Sequence, residues 1–274
     1  IFIEDRVSNP TGKTVVPEAA VPHDANHALV RGNVECSTTR CTKTDDGWLL
    51  DGQKQWITSG SHAGVMVVWA RTDQPDDRRG SKGISCFLVE KDTPGLKLGK
   101  REEKLGIRAS ETVQLTFEDC LVPHDALLGD LGQGFKVAMM ALDGGRIGIA
   151  SQALGIGIAA LQEAVQYAKD RQQFGHPIAD FQAIQWMIAD MAAETEAARQ
   201  LVMSVASKRD AGVPFLTEAS MAKLFASRVA MQAAHKAVQI HGGAGYFAPT
   251  KVERLFRDAR VTEIYEGTSE VQRM

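Results

Sequence analysis

Between about residues 47 and 122, the apolar residues come in short runs that are typical of β-strands. The runs are Val65–Ala70, Ile84–Val89, Leu96–Leu98 and Thr112–Phe117, and Gly, Pro, Asp and Lys separate them. Two further runs in "GWLLDGQKQWI" flank Asp51-Gly52, a dipeptide that favours a two-residue hairpin turn. Several short strands at this spacing predict an all-β sandwich or barrel.

After about residue 133, the apolar positions repeat with the period of a helix. One predicted helix has an apolar face at Ile147, Ala150, Leu154, Ile158, Leu161, Val165 and Ala168, and a second has one at Ile184, Met187, Met191, Ala198, Leu201 and Val205. A third runs from about Thr217, a plausible N-cap, to Ile240, and "HGGAG" at 241–245 ends it. Long helices with short polar links indicate a bundle.

The order of the two patterns predicts an α+β protein with several domains, because a β-block followed by an α-block excludes an alternating βα layout. Residues 1–33 carry neither period, and we expect extended or irregular structure there. We therefore divide the chain into a segment at 1–33, a β domain at 34–126 and a helical-bundle domain at 127–274.

Composition narrows the possible functions only a little. The chain has 274 residues, of which 44% are hydrophobic and 24% charged, the balance of a globular protein. Its net charge of −3 provides no broad basic surface for nucleic acid or an acidic membrane. No run of about 18 apolar residues predicts a membrane span. The first residue is Ile1 rather than Met, so we expect a fragment or a processed product.

The four cysteines predict neither a metal site nor a disulfide framework. Cys36 and Cys41 are separated by four residues, but no second Cys pair or close His follows to complete about four zinc ligands. A disulfide framework is not expected in a chain of this length with so few cysteines. We expect four reduced thiols.

The segment "EIYEGTSEVQR" at 263–273 is the richest in chemistry. Thr250-x-x-Glu253 is a capping-box pattern that starts a short helix, and a second such pattern, Ser269-x-x-Gln272, predicts a helix start near Thr268. Backbone N–H groups at a helix start can hold a phosphate or another polar ligand. From these local features, Glu266 is more typical of a solvated loop carboxylate, with Ser269 as an ordinary cap, and a functional base is the alternative.

Two other motifs also leave alternatives open. Trp56 in "QWITSG" could stack on a planar ring with Thr58 as a hydrogen-bonding partner, or it could be a core tryptophan. "DGGR" at 143–146 is expected to open the first long helix. Arg146 there is either paired or a surface charge. The glycines of "QIHGGAGY" follow a helix rather than a strand, which excludes a dinucleotide fingerprint.

Taken together, these segments resemble the acyl-CoA dehydrogenase family of flavoenzymes. The matching stretches cover about residues 34–274 and include "GWLLDGQKQWITSG", "LLGDLGQGFKVAMMALDGGRIGIASQALG", "RQQFGHPIADFQAIQWMIADM", "QIHGGAGY" and "RDARVTEIYEGTSEVQR". "LDGGRIGIASQALG" and "IYEGTSE" are most similar to the short-chain, butyryl-type subgroup.

The resemblance implies a middle β-barrel or sandwich domain, a C-terminal antiparallel four-helix bundle, and FAD bound between them. It also implies dehydrogenation of an acyl-CoA thioester to the trans-2-enoyl-CoA, with short acyl chains preferred. The implied partners are an electron-transferring flavoprotein and further copies of the chain in a dimer or tetramer. The implied compartment is the bacterial cytoplasm or the mitochondrial matrix.

The same resemblance assigns roles to individual residues. Glu266 matches the base that removes the α-proton, and Gly267 lies beside the thioester. Asp143, Gly144, Gly145 and Arg146 match the substrate side. The residues that match FAD contacts are Trp56, Ile57, Thr58, Thr268, Ser269 and Glu270. Those that match contacts to a partner subunit's FAD are Arg171, Phe174, Gln182, Gln239, Ile240, His241, Gly242 and Gly243.

One detail separates subgroups of the family. In some members, including the isovaleryl type, the resemblance implies a base on the helix just before the equivalent of Arg146, and no glutamate in the loop. Here that helix position is Gly145 and the loop position is Glu266. The sequence therefore favours the straight short-chain type.

The chain also departs from the family pattern. The family's N-terminal helical domain has no match in residues 1–33, and no Ser-Asp pair stands in "DANHALVRGNVEC" where an FAD-binding loop is expected. The family would continue beyond Met274 through a final helix, so we expect a bundle truncated at its last helix. The alternatives are an inactive fragment, a non-catalytic interaction protein on the same fold, or an oxidase-like flavoenzyme.

Overall fold

The computed structural model describes residues 39–72 and 80–274. The irregular structure expected at 1–33 and the thiol of Cys36 lie outside these residues. Contacts divide the chain into two compact units, one with residues up to 103 together with 108–144, the other with 104–107 and 145–274. The domain boundary between residues 126 and 127 remains a proposal, because compactness alone does not define a domain limit.

The first unit contains a six-stranded sheet. Its strands are β1 (Arg40–Lys43), β2 (Trp48–Thr58), β3 (Val65–Arg71), β4 (Ile84–Glu90), β5 (Leu96–Arg101) and β6 (Thr112–Val122). Their order is β4-β3-β1-β2-β6-β5; β1 and β3 pair in parallel, and all other pairs are antiparallel. The strands predicted from the apolar runs are confirmed, while the short β1 was not predicted.

Both faces of this sheet are covered. One face forms a core that includes Leu50, Phe87 and Phe117. On the other face, Val67, Trp69 and Cys86 pack with Ala138 and Leu142 from the beginning of a long helix, α1 (Gly134–Asp170). The Trp69 indole Nε1 donates a 2.8 Å hydrogen bond to the carbonyl oxygen of Gly134. The described cysteines Cys41, Cys86 and Cys120 are buried free thiols.

The second unit is helical. After α1 come α2 (Gln182–Asp210), α3 (Leu216–His241), the single turn α4 (Gly243–Tyr246) and α5 (Lys251–Ala259), with a small hairpin of β7 (Gln172–Gln173) and β8 (His176–Pro177). Short 3-10 turns follow at Arg260–Glu263 and Val271–Arg273. The predicted order of a sheet domain followed by helices is confirmed, as are the three long helices.

Alanine dominates the helical core. To this core α1 contributes Ile147, Ala150, Ala153, Ala160, Ala164 and Ala168, and α3 contributes seven buried alanines, from Ala219 to Ala237. The larger aliphatic residues that were predicted to form the face of α1, such as Leu154 and Leu161, are only partly buried. Small side chains allow helix axes to approach closely, so this core depends on close packing more than on side-chain bulk.

The predicted hairpin at Asp51-Gly52 is wrong, because β2 runs straight through this dipeptide. Gly52 has a φ of 135°, and the pairing with β6 shifts register between Leu50 and Gly52. The extra residue lies on β6, where Asp119 has a φ of 49° and its amide donates to Asp51 Oδ1 at 2.8 Å. The Asp51-Gly52 dipeptide is therefore part of a β-bulge and not of a hairpin turn.

Two predicted helix starts differ in the structure, and a third is confirmed but lacks its capping box. The "DGGR" motif lies inside α1, which begins nine residues before Asp143. Phe215, not Thr217, occupies the N-cap position of α3. Thr250 is at the predicted N-cap of α5, but its hydroxyl donates to the Phe247 carbonyl, and Glu253 pairs with Arg257 instead of closing a capping box.

By length and composition, α1 would also suit a membrane span, because it has 37 residues and contains an 18-residue window with a mean hydropathy of 1.2. Its buried alanines pack with α2 and α3 in the helical core. Packing within the described chain therefore buries part of this apolar helix, 33% of the apolar window.

The close packing predicts opposite effects for two substitutions on α1. Ala160→Leu adds three carbon atoms where no space exists and should lower the free energy of unfolding by about 1–3 kcal/mol. Gly155→Ala meets no atom within 4 Å and should raise it by about 0.5–1 kcal/mol through helix propensity. Urea denaturation followed by circular dichroism measures both. A neutral Ala160→Leu would contradict the close-packed core.

Candidate active site

The central feature of the helical unit is a turn at Glu266-Gly267. Glu266 has a φ of 53° and Gly267 a φ of 91°, so two successive residues adopt the left-handed region. This conformation costs a non-glycine residue about 1–2 kcal/mol. Such strain persists only where the surrounding structure fixes it, and it clusters at functional sites.

The side chains of Gln272 and Lys223 donate hydrogen bonds to the backbone carbonyls of this turn. Gln272 Nε2 donates to the carbonyl oxygens of Glu266 at 2.9 Å and of Gly267 at 3.2 Å. Lys223 Nζ, from α3, donates to the Gly267 oxygen at 2.6 Å. A Cβ added to Gly267 would lie 2.4 Å from Gln272 Nε2, so only glycine fits there.

The Glu266 carboxylate lies against the backbone of α1 at Gly145. A Cβ at position 145 would be 2.7 Å from Glu266 Oε2 and 2.9 Å from its Cδ. A glycine inside a helix costs up to about 1 kcal/mol relative to alanine. Here the missing side chain makes room for the carboxylate, which explains why "DGGR" occurs inside α1 rather than at its start.

Two cations, Lys223 and Arg146, and three carboxylates, Glu263, Glu266 and Glu270, lie around the turn. Burial lowers the pKa of the Lys223 ammonium from 10.5 to about 8, against the opposing attraction of Glu266, Glu263 and Glu270, and Arg146 lowers it further. Arg146 donates through a terminal guanidinium nitrogen to Ser220 Oγ at 3.2 Å. Arg146 is therefore half-buried and paired, which decides between the two alternatives left open by the sequence.

Tyr265 fixes the turn from its other side. Its hydroxyl donates to Gln152 Oε1 on α1. Burial raises the pKa of the Tyr265 phenol to about 12. The phenol therefore stays protonated and remains a donor throughout the physiological range.

The helix start after the turn differs from the predicted capping box. The N-cap position of the final 3-10 turn is Glu270, the Val271 amide donates to Thr268 Oγ1 at 3.4 Å, and the Ser269 amide donates to the Glu263 carbonyl at 3.0 Å. Gln272 binds the turn carbonyls instead of reaching back to Ser269. Glu270 is exposed. Hydrogen bonds from its own amide and from Thr268 hold the pKa of its carboxyl below the ordinary value.

In the sheet unit, Trp56 lies at a second β-bulge. The pairing of β2 with β6 shifts between Lys54 and Ile57, and Trp56 has a φ of 58°. Its indole is 52% exposed, so the core interpretation of Trp56 is wrong. The bulge turns the ring outwards, while Ile57 is in the core at 2% exposure and Thr58 is half-buried at the strand end.

A third group of candidate residues lies at the far end of the helical unit. Phe174, with a φ of 54°, is at the tip of the β7–β8 hairpin, where it is 89% exposed and meets Phe181 edge-on. Arg171 lies at the base of this hairpin, and Gln182 is the first residue of α2. Both side chains are exposed.

The end of α3 belongs to the same region. The His241 ring stacks on Tyr167 of α1 at 4.0 Å and contacts the Ala237 carbonyl. Gly242, with a φ of 58°, ends the helix as predicted, and Gly243 follows, exposed. Gln239 is exposed, whereas the side chain of Ile240 is in the core.

The structure thus brings the predicted residues of the helical unit together in two groups. Gly145, Arg146, Glu266 and Gly267 form one, and Asp143 and Gly144 precede them on α1. The other lies beside Tyr167, which is about 33 Å along α1 from Gly145 at 1.5 Å per residue. Because of this separation, a single copy of the helical unit cannot place both groups of residues against the same part of a bound ligand.

Sequence reasoning missed three side chains near the turn, Lys223, Gln152 and Ser220, and assigned Gln272 to a capping box instead of to the turn carbonyls. Lys223 left a signal, because it lies among Ala219, Ala222 and Ala226 on the alanine face of α3. A lysine at a core position is costly unless it has a specific partner. No group of His, Cys, Asp or Glu within residues 39–72 and 80–274 could hold a metal ion.

Comparison with known proteins matches both units. The model described as "Acyl-CoA dehydrogenase, middle domain" matches residues 32–120, and "Acyl-CoA dehydrogenase, C-terminal domain" matches residues 132–274. The chain is 53% identical over 238 residues to the "Short-chain specific acyl-CoA dehydrogenase, mitochondrial" of Rattus norvegicus, which covers 87% of the chain. The chain spans only 57% of that rat protein.

Solved structures of related proteins have the same fold as this chain. The butyryl-CoA dehydrogenase of Megasphaera elsdenii superposes with a TM-score of 0.85 at 48% identity, over 94% of this chain and 64% of that one. A chain in a structure described as "Electron transferring flavoprotein of Acidaminococcus fermentans: Towards a mechanism of flavin-based electron bifurcation" gives a TM-score of 0.84 at 48% identity, over 89% and 64%.

The lowered pKa of Lys223 predicts a stability that rises in alkali. Below about pH 8 the lysine is protonated in both folded and unfolded chains, so the cost of burial is constant. Between about pH 8 and 10.5 the unfolded chain keeps the proton that the folded one releases, so the free energy of unfolding should rise by on the order of 3 kcal/mol.

Other groups also titrate in this window, so the quantity to measure is a difference. Urea denaturation of the wild type and of Lys223→Met at pH 7, 8.5 and 10 gives the contribution of the lysine. The difference should be flat below pH 8 and grow in favour of the wild type above it. A difference that is independent of pH would contradict the lowered pKa.

Proposed function

Because the chain belongs to the acyl-CoA dehydrogenase family, we propose that it acts in the FAD-dependent α,β-dehydrogenation of acyl-CoA thioesters to trans-2-enoyl-CoA, with Glu266 as the base. The observation that supports this most directly is the Glu266 carboxylate, held on a strained turn against the bare helix backbone at Gly145. A carboxylate positioned at such cost is more than a solvated surface charge.

The residues around Glu266 suit proton abstraction from carbon. The α-proton of a thioester is weakly acidic, so the base must be close to it, and general bases of this kind contribute about 10²–10⁴-fold. Tyr265, Lys223 and Gln272 restrict the position of the turn. When an acyl chain enters, it excludes water and strengthens the carboxylate as a base.

Gly145 supports the straight short-chain subgroup within this proposal. A side chain at this position would collide with the Glu266 carboxylate, so a base on the helix and a base in the loop cannot coexist here. Only the loop position carries a carboxylate. The base in the loop supports an unbranched acyl chain, and the names of the relatives, short-chain specific acyl-CoA dehydrogenase and butyryl-CoA dehydrogenase, support a short one such as butyryl.

The residues present also fit FAD. The outward-turned indole of Trp56 offers a flat apolar face, and Thr58 at the same strand end offers a hydroxyl, a combination suited to a planar ring with polar edges. Thr268, Ser269 and Glu270 offer two hydroxyls and an exposed carboxylate, which suit the ribose and adenine of the cofactor. The chemistry that FAD supplies is acceptance of the hydride from the substrate β-carbon.

The two distant residue groups of the helical unit support a homo-oligomer. His241 stacks on Tyr167 and the Arg171 amide donates to its carbonyl oxygen, about 33 Å along α1 from Gly145, and the hairpin with Phe174 and then Gln182 follows Arg171 along the chain. They would instead contact the FAD of a neighbouring copy in a dimer or tetramer. The 89% exposure of Phe174 suits such an interface.

The electron acceptor proposed for the reduced cofactor is an electron-transferring flavoprotein. A structure described by that name contains a chain 48% identical to this one. The relatives include a mitochondrial rat protein and a protein from a bacterium, so the proposed compartment is the mitochondrial matrix or the bacterial cytoplasm.

The proposed base predicts the behaviour of Glu266→Gln. The amide keeps the shape of the side chain but cannot accept the α-proton, so reduction of the FAD-loaded protein by butyryl-CoA should slow by about 10²- to 10⁴-fold. Anaerobic stopped-flow absorbance of the flavin measures this rate. Glu196→Gln, which changes an exposed ion pair on α2, is the matched control and should be unaffected.

If the flavin of Glu266→Gln is reduced at the same rate as that of the wild type, the base assignment is contradicted. Octanoyl-CoA and isovaleryl-CoA as substrates test the chain preference, and both should react more slowly than butyryl-CoA. Rapid reoxidation of the wild type by oxygen would instead indicate an oxidase.

The space at Gly145 predicts a second effect. Gly145→Ala places a methyl group where the Glu266 carboxylate lies, so the carboxylate must move. Displacing a base by about 1 Å can cost on the order of 10²-fold in rate, and we expect a loss of 10- to 100-fold in the flavin reduction rate. Gly155→Ala, on the same helix with no atom within 4 Å, should keep the wild-type rate. Equal rates for all three proteins would contradict the contact.

A further inference from the structure

Lys223 is the most completely enclosed charged side chain in the part of the chain that the structure describes. Its exposure is 0%, compared with 3% for Lys54 and 9% for Arg71. It lies on α3 among alanines that form the tight helical core. Burying an ammonium costs several kcal/mol even after relaxation, so its presence requires a compensating interaction.

The compensating interaction is at the turn. Lys223 Nζ lies 2.6 Å from the carbonyl oxygen of Gly267, the residue directly after Glu266. Gln272 Nε2 binds the same oxygen at 3.2 Å, so a neutral donor is already in place. An uncharged amide can make this hydrogen bond, so the feature that the lysine adds to the site is its positive charge.

We propose that Lys223 is a positioning residue for Glu266: its ammonium fixes the Glu266-Gly267 turn, and its charge favours the ionised carboxylate. The proposal rests on the proposed function of Glu266 as the base. Lys223 acts on the base through the Gly267 carbonyl and through space.

The charges around Lys223 support this role. The groups that face it are Glu266, Glu263 and Glu270 of the C-terminal segment and Arg146 of α1. Three carboxylates face two cations, so without Lys223 a single cation would face three anions. Neighbouring anions disfavour an ionised carboxylate, and an added cation favours it. Because the pKa of Lys223 is about 8, this cation is present at neutral pH.

Two substitutions separate the hydrogen bond from the charge. Lys223→Met removes both, whereas Lys223→Gln keeps a donor and removes the charge. Lys236→Met is the matched control, because Lys236 is on the same helix and pairs at 3.2 Å with Asp190. The rate of flavin reduction by butyryl-CoA is measured from pH 5.5 to 9 on each FAD-loaded protein.

In Lys223→Met, the limiting rate should fall about 10- to 100-fold, because the base is misplaced, with an apparent KM within about threefold of wild type. The acid limb of the pH–rate profile should move up by about one pH unit, since an attractive charge is lost. Lys223→Gln should show the same shift with a smaller loss of rate. Lys236→Met should match the wild type in both.

A second readout needs neither FAD nor substrate. Hydrogen–deuterium exchange followed by mass spectrometry should show faster exchange of the amides in 263–270 for Lys223→Met. The change should be smaller for Lys223→Gln and absent for Lys236→Met. Together with the pH profile, this separates positioning from general loosening of the fold.

The outcomes distinguish the two proposals. An active wild type, an inactive Glu266→Gln and unshifted acid limbs in both Lys223 variants would overturn the role of Lys223 alone. Faster exchange without a shifted acid limb would show a purely structural lysine and overturn it as well. If Glu266→Gln reacts like the wild type, the base assignment fails, and the role of Lys223 fails with it.

Discussion

The hydrogen bond from Lys223 to the Gly267 carbonyl is the interaction on which the arrangement of the site depends. It joins the middle of the helical core to a turn that its own backbone preferences would not stabilise. Gln272 and Tyr265 add contacts from either side, so the turn is held at three points. Lys223 lies on a helix, and Tyr265 and Gln272 lie in the segment of the turn itself. These contacts therefore attach the Glu266 carboxylate to the rigid part of the fold.

Several local rules are broken here at once. A glutamate adopts a left-handed conformation, a glycine lies inside a long helix, and a lysine is buried among alanines. Each would be destabilising in isolation, and each involves the same few atoms around Glu266 and Gly267. Natural sequences break such rules mainly at functional sites. The coincidence of three violations is a physical argument for function that is independent of the family match.

The sequence predicted the larger elements well and their ends poorly. The strands and three long helices followed from apolar periods, because burial on one face constrains many residues at once. Asp51-Gly52 was misread as a hairpin turn, since a bulge and a turn use the same residues and only the pairing with β6 separates them. "DGGR" was placed at a helix start, because the carboxylate that needs the glycine lies 121 residues later in the chain.

The candidate site was predictable only in part for the same reason. Glu266 and Gly267 were found through several motifs in the order that the family implies. Lys223 was missed and Gln272 was assigned to a capping box, because their roles depend on backbone carbonyls that no residue type reveals. Trp56 was ambiguous, since a bulge decides whether an indole faces the core or the solvent, and the sequence does not show the bulge.

The contact between Glu266 and Gly145 means that helix position 145 and the loop carboxylate compete for one space. A side chain attached at position 145 would begin 2.7 Å from Glu266 Oε2, so a carboxylate there would occupy nearly the same space. A carboxylate supplied from the loop therefore requires glycine on the helix and hydrogen-bond donors that support the turn. Gly145, Lys223 and Gln272 provide these here.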